Sequence, residues 1–147
     1  MKKIAIFSVA VLMIGGITLT SCKKYEDGPS ITLLTKKMRL DGEWKVDSYY
    51  INDVDKTTDY RNFIESETLT MDKSGSWTYS ATDAVFHQTS SNVGTWTFIN
   101  DKEDLQMTNT SNNSVETWHI LRLTNKEFWY DITDSNGNRT EYHMETK

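Results

Sequence analysis

From Gly42 to the C-terminus, apolar and polar side chains alternate along the chain, and this pattern most constrains the fold. In the first such segment, one face holds Trp44, Val46, Ser48 and Tyr50, and the other holds Glu43, Lys45, Asp47 and Tyr49. A period of two residues is typical of a β-strand with one buried and one exposed face. The alternation recurs at 69–71, 77–81, 94–98, 105–107, 115–123, 127–133 and 139–145. The sequence therefore predicts eight principal strands.

The connections between these strands are mostly short and polar. Clusters of Asp, Asn, Ser and Gly at 72–75, 100–104, 109–113 and 134–138 indicate turns. Parallel neighbours would need long crossover connections, so we expect consecutive strands to pair antiparallel. Eight strands in such a meander favour an all-β, up-and-down closed barrel, because closure removes the exposed edges that invite aggregation. A two-sheet sandwich is the alternative that fits the same alternation. The longest connection includes 59–65, where a helical turn is predicted.

A short helix is predicted before the first strand. Ser30 can cap it, and apolar residues follow at helical spacing: Ile31, Leu34 and Met38, with Leu33 and Leu40 widening the face. We expect this face to close one end of the barrel rather than to bind a membrane. The barrel domain would then span residues 31–147, after a flexible tether at 22–30.

Residues 1–21 have the three-part layout of a secretory signal peptide. Lys2 and Lys3 precede the apolar run 4–19, which is shorter than the roughly 20 residues that a spanning helix needs. Small residues then lead to Cys22, the chain's single cysteine. The run 19–22, Leu-Thr-Ser-Cys, resembles the cleavage box of bacterial lipoproteins.

That resemblance implies that Cys22 is lipidated. Each buried methylene contributes about 0.8 kcal/mol, so two or three acyl chains amount to stable membrane attachment. We therefore expect a lipid-anchored protein of the Gram-negative outer membrane, on its periplasmic face or at the cell surface. A soluble secreted protein with a free thiol is the alternative.

The charge balance argues against nucleic acid as a partner. Lys2 and Lys3 are the only charged residues of the leader, so its removal takes the formal net charge from −5 to −7. Phosphate binding needs clustered Lys and Arg.

Four segments resemble the lipocalin-like lipoproteins of Bacteroidetes-type bacteria. They are 40–46 (LDGEWKV), whose Gly-x-Trp is similar to the first lipocalin motif, 71–77 (MDKSGSW), 94–98 (GTWTF) and 120–128 (ILRLTNKEF). The resemblance covers roughly 38–145. It implies a calycin-type barrel that binds a small apolar molecule.

Many of the side chains expected to point into the barrel are aromatic. The candidate ligand-binding set is Trp44, Tyr50, Trp77, Tyr79, Trp96, Phe98, Tyr130 and Tyr142, and Phe128 belongs to the same interior. An eight-stranded barrel holds either packed side chains or one small ligand, so two interpretations remain: a filled core and an aromatic pocket. A second functional hypothesis is an interaction module without a cavity, which contacts an envelope protein or glycan through outward-facing Tyr49, Trp118 and Trp129.

The sequence predicts no catalytic residues, metal site or cofactor. It has no nucleophile-elbow or phosphate-binding glycine motif, and His87, His119 and His143 lie on separate segments without metal-ligand spacing. The acidic residues, Glu65 and Glu67 among them, are expected in loops or at strand ends, where they favour turns and solubility.

Overall fold

The computed structural model describes residues 33–147, in which strands dominate. The predicted signal peptide, the tether, Cys22 and the expected helix cap at Ser30 lie outside the described residues. The strands are β1 (Gly42–Ile51), β2 (Val54–Asp55), β3 (Ile64–Asp72), β4 (Ser76–Asp83), β5 (Thr89–Ile99), β6 (Asp104–Asn109), β7 (Val115–Leu123), β8 (Glu127–Thr133) and β9 (Arg139–Thr146). The helices are α1 (Lys36–Leu40) and α2 (Thr57–Phe63), and a 3₁₀ turn spans Asn100–Lys102.

The strands form a closed antiparallel barrel. The sheet runs in the order β1-β3-β4-β5-β6-β7-β8-β9, and β9 pairs back with β1 along most of its length. The two-residue strand β2 pairs only with the end of β1. Eight principal strands in a meander are thereby confirmed, and the sandwich alternative is wrong. Strand β5 begins at Thr89, five residues before the predicted start at Gly94.

A β-bulge in β1 reverses the predicted facing of its second half. Val46 pairs with Met144, whereas Ser48 pairs with His143, so Asp47 is an extra residue. One inserted residue moves all later side chains to the opposite face. Tyr49 therefore packs against the core, and Tyr50 lies on the outer surface beside His143, with ring centroids 5.0 Å apart. The prediction that Tyr50 points into the barrel is wrong for this reason.

Helix α1 covers one end of the barrel, which we call the closed end. Thr35 accepts a hydrogen bond from the backbone N–H of Met38 and caps the helix, which begins at Lys36. Leu40 and Trp44 are fully buried there, and the Trp44 indole N–H donates to the Leu40 carbonyl at 2.9 Å.

The predicted apolar face of this helix is only partly correct. Of its described members, Leu40 is buried, but Leu33, Leu34 and Met38 are 100%, 38% and 52% exposed. The helix has only five residues, so a single turn contacts the barrel. No helix within residues 33–147 has both the length and the apolarity to cross a membrane.

Strands β1 and β3 pair only at one end, and α2 lies where they separate. Their ladder covers Gly42 to Trp44 of β1. Beyond it, side chains replace the missing strand partner: Glu67 accepts from the Val46 N–H, and Arg61 of α2 donates to the Val46 carbonyl. Because buried backbone groups must be paired, this seam needs polar side chains. The predicted helical turn at 59–65 corresponds to α2.

Candidate functional site

A cavity of about 330 Å³ lies inside the barrel, toward the end opposite α1, which we call the open end. Small-molecule sites typically measure about 300–1,000 Å³. The interpretation of a completely filled core is therefore wrong. Sixteen residues line the cavity: Val46, Tyr60, Glu67, Leu69, Trp77, Tyr79, Asn92, Met107, Asn109, Ser114, Glu116, Trp118, Tyr130, Ile132, Tyr142 and Met144.

The structure divides the predicted interior aromatics into three groups. Four of them line the cavity: Trp77, Tyr79, Tyr130 and Tyr142. Four others pack in the core without lining it: Trp44, Trp96, Phe98 and Phe128. Among these, edge-on ring contacts join Trp44 to Phe128 at 5.8 Å and Trp96 to Phe98 at 5.4 Å. The remaining one, Tyr50, lies outside the barrel.

A row of stacked rings forms one wall of the cavity. Trp118 lies parallel to Tyr130 at 4.2 Å, and Tyr130 stacks on Tyr142 at 5.0 Å. Tyr49 continues the row behind Tyr142 and also contacts Tyr60 of α2 at 4.8 Å. The prediction that Trp118 and Tyr49 face outward is wrong. Trp118 pairs with Leu105, which is fully buried, and directly paired residues share a face of the sheet.

The main polar group of the cavity is Glu67, which is only 6% exposed. Its Oε2 accepts hydrogen bonds from the hydroxyls of Tyr60 and Tyr79, the latter at 3.1 Å. Its Oε1 accepts from the Val46 backbone N–H at 3.3 Å. The expectation that Glu67 belongs to a loop or a strand end is wrong. The alternation itself was the missed signal, since Glu67 shares a face with Leu69 and Met71, both buried.

The tyrosines around Glu67 are held in the protonated form. Burial, followed by the negative charge of Glu67, raises the pKa of Tyr79 to about 12. Burial and the hydrogen bond to Glu67 raise the pKa of Tyr60 further. Burial raises the pKa of Tyr130 and Tyr142 too, with smaller contributions from other groups that include Glu116. These hydroxyls therefore act as neutral hydrogen-bonding groups at physiological pH.

Polar side chains line the cavity near its opening. The Asn109 amide donates to the Asn92 side-chain oxygen at 3.3 Å, and the Trp118 indole N–H donates to Glu116 at 3.1 Å. The lining thus contains two carboxylates, and none of its sixteen residues is Lys, Arg or His. The cavity is aromatic in its walls and acidic in its charge.

The three histidines each contact a carboxylate outside the cavity. His87 lies 2.6 Å from Glu65, His119 lies 2.7 Å from Asp104, and His143 lies 2.5 Å from Glu141. Within residues 33–147, no three His, Cys, Asp or Glu residues are grouped as metal ligands would be.

Trp129 lies on the outer surface, as predicted. It stacks on His143 at 4.0 Å and nearly parallel, and the Arg122 guanidinium lies 5.0 Å from its ring. This outer cluster contacts the barrel wall on the side away from the cavity.

The fold and cavity define a small closed β-barrel with an internal site. No protein-family model matches the chain, and a search of curated proteins finds no match either. A redesigned β-barrel is among the similar solved structures, with 14% identity and a TM-score of 0.45 over 80% of this chain and 99% of that one.

Proposed function

We propose that this protein is a lipid-anchored binding protein of the Gram-negative cell envelope whose barrel binds a small apolar or aromatic molecule. The cavity is the observation that supports this proposal. It has a ligand-sized volume and aromatic walls, and a small number of polar groups, chiefly Glu67 and the tyrosine hydroxyls, can orient a guest. Aromatic side chains each offer roughly 150–250 Å² of contact surface, so a flat molecule between them would bury much of its own area.

Intrinsic fluorescence tests the proposal directly, because Trp77 and Trp118 line the cavity. Titration with lipophilic dyes and a panel of aromatic and lipid compounds should change tryptophan emission saturably. Trp77→Ala should alter the dissociation constant, since it removes a wall of the site. The matched control is Trp129→Ala, which removes an indole from the outer surface and should leave affinity unchanged. If nothing binds saturably across the panel, the proposed function is wrong.

Anchoring is tested separately through Cys22, the single cysteine of the chain. In the native host, Cys22→Ala should abolish incorporation of labelled fatty acid and release the protein from the membrane fraction. If the variant is still labelled, the fatty acid is attached at another residue and the prediction for Cys22 is wrong.

A second candidate function is contact with an envelope protein or glycan, favoured by apolar surface outside the cavity. Phe63 and Phe86 are 64% and 76% exposed, and the backbone hydrogen bond from Ala84 to Phe63 holds their two segments together. Trp129 adds an aromatic group elsewhere on the outer wall. This hypothesis predicts that Trp129→Ala or Phe86→Ser removes a partner from cross-linked envelope complexes while the melting temperature is unchanged. Unaltered complexes in both variants would count against it.

A further inference from the structure

The charge of the cavity restricts which small molecules it can accept. Glu67 and Glu116 are its ionisable acids, and its lining supplies no cationic side chain to balance them. Within residues 33–147, no Lys, Arg or His nitrogen forms an ion pair with Glu67. A buried carboxylate is costly unless hydrogen bonds or an opposite charge compensate it.

The hydrogen bonds of Glu67 leave part of its acceptor capacity unused. A carboxylate offers about four lone-pair sites. Among the described residues, the two tyrosine hydroxyls both donate to Oε2, and Oε1 receives only the 3.3 Å bond from the Val46 amide. Oε1 can therefore accept a further donor, and Glu67 belongs to the cavity lining, within reach of a guest.

The second carboxylate, Glu116, comes from β7, on the side of the barrel opposite β3 and Glu67. Glu116 accepts from the Trp118 indole, and Trp118 stacks on Tyr130. Both acids act on Tyr130, whose pKa is raised first by burial, then by Tyr142 and Tyr79, and to a smaller extent by Glu67 and Glu116. Aromatic faces also attract cations through their ring quadrupoles, most strongly when water is excluded.

We infer that the cavity selects a small aromatic amine, whose protonated nitrogen would bind the Glu67 carboxylate while its ring packs against the tryptophan and tyrosine walls. This inference rests on the proposed binding function and narrows its ligand class. An amine would supply a further donor and an ion-pair partner for Glu67, since the Arg61 guanidinium nearby bonds to the Val46 carbonyl instead. An aromatic or aliphatic carboxylate would instead be brought next to the buried Glu67, in a lining whose other acid, the exposed Glu116, has the same sign, and is disfavoured.

Three indoles of similar shape but different charge test this ligand class: tryptamine, which is cationic at neutral pH, the neutral alcohol tryptophol, and the anionic indole-3-acetate. Each is titrated into the full-length protein by calorimetry. Tryptamine should bind at least about tenfold more tightly than tryptophol, which corresponds to about 1.4 kcal/mol. Indole-3-acetate should bind most weakly. Equal binding of all three, or preference for the anion, overturns the inference.

Glu67→Gln removes the charge and keeps the shape and an acceptor oxygen for the Val46 amide. It should abolish the tryptamine preference while the tryptophol affinity changes by less than about threefold. The matched control is Glu65→Gln, which makes the same change two residues earlier on an exposed side chain beside His87. It should retain the wild-type preference. If Glu67→Gln still prefers tryptamine, the Glu67 carboxylate only pairs with backbone between β1 and β3, and the inference is refuted.

The outcomes separate this inference from the proposed function. If a lipophilic dye binds the cavity and Trp77→Ala weakens that binding, the binding function stands whatever the indoles do. If the dye binds but tryptamine shows no advantage, only the amine preference is refuted. If Glu67→Gln does not fold, the charge series on the wild-type protein still decides the question.

Discussion

The two adjacent tyrosines of β1 provide a sharp test of the bulge at Asp47. Tyr49→Ala should destabilise the barrel far more than Tyr50→Ala, although the alternation of the sequence predicts the reverse. Tyr49 makes ring contacts with Tyr60 at 4.8 Å and Tyr142 at 5.1 Å. Each such pair contributes about 0.5–1.5 kcal/mol beyond area burial, or about 1–3 kcal/mol for the two, and with the lost burial of the ring the expected loss is about 2–3 kcal/mol.

Within residues 33–147, Tyr50 has a single ring contact, with His143 on the outer surface, and its removal should cost about 0.5–1 kcal/mol. The difference of about 2 kcal/mol corresponds to roughly 8 °C in melting temperature for a domain of this size. Urea unfolding of both variants, followed by tryptophan emission and circular dichroism, measures the two free energies. Neither residue lines the cavity, so ligand content does not affect the comparison. An equal or larger loss in Tyr50→Ala would refute the bulge and the facing of the strand after it.

Three further predictions follow from the packing and the tyrosine ionisation. Gly94→Ala should cost at least about 2–3 kcal/mol in urea unfolding, because the added Cβ would lie 2.0 Å from a carbonyl oxygen of β6 and 2.6 Å from the Trp77 ring; wild-type stability would contradict that approach. Trp44→Phe should cost about 2–4 kcal/mol by calorimetry, because it leaves the buried Leu40 carbonyl without its indole donor and removes ring volume; a loss below 1 kcal/mol would contradict the closed-end packing. The pKa of Tyr79 is about 12 in the folded state against 10.0 when unfolded. Protonated Tyr79 therefore stabilises the folded state fully below pH 10, and this contribution is lost as pH rises from 10 to 12, at about 1.4 kcal/mol per pH unit. Tyr79→Phe should make stability measured across that range decline less steeply than in wild type, and parallel curves would exclude this linkage.

The antiparallel meander was predictable because its signals are local. Alternation marks each strand, and the short polar connections force antiparallel neighbours. Gly137 adopts φ of 84° within the predicted turn at 134–138, a conformation that glycine allows. Trp44, two residues after Gly42, is buried as the alternation of the first strand predicts. All of these properties involve residues within a few positions of one another.

Only part of the site was predictable, because each inserted residue in a strand reverses which later side chains point into the barrel. Trp77 and Tyr79 were placed correctly, since no bulge interrupts their strand. The predicted directions of Tyr49 and Tyr50 were reversed, because Asp47 is an extra residue in the strand. Glu67 was missed because a charged residue was assigned to a loop on grounds of polarity, although its position on the strand points inward.

The sequence by itself determined an antiparallel meander with an aromatic interior and favoured a closed barrel, and it also predicts that Cys22 anchors the protein; the pairing of β9 with β1 decided the closure. Only the tertiary structure decided that the rings leave a cavity of about 330 Å³ and that an acid faces into it. The physical reason is that an empty volume depends on how side chains from eight strands meet, and the separation of β1 from β3 creates a seam that α2 and Glu67 fill. Backbone groups freed by that separation require a polar partner inside the barrel. The same carboxylate thereby becomes available to a guest.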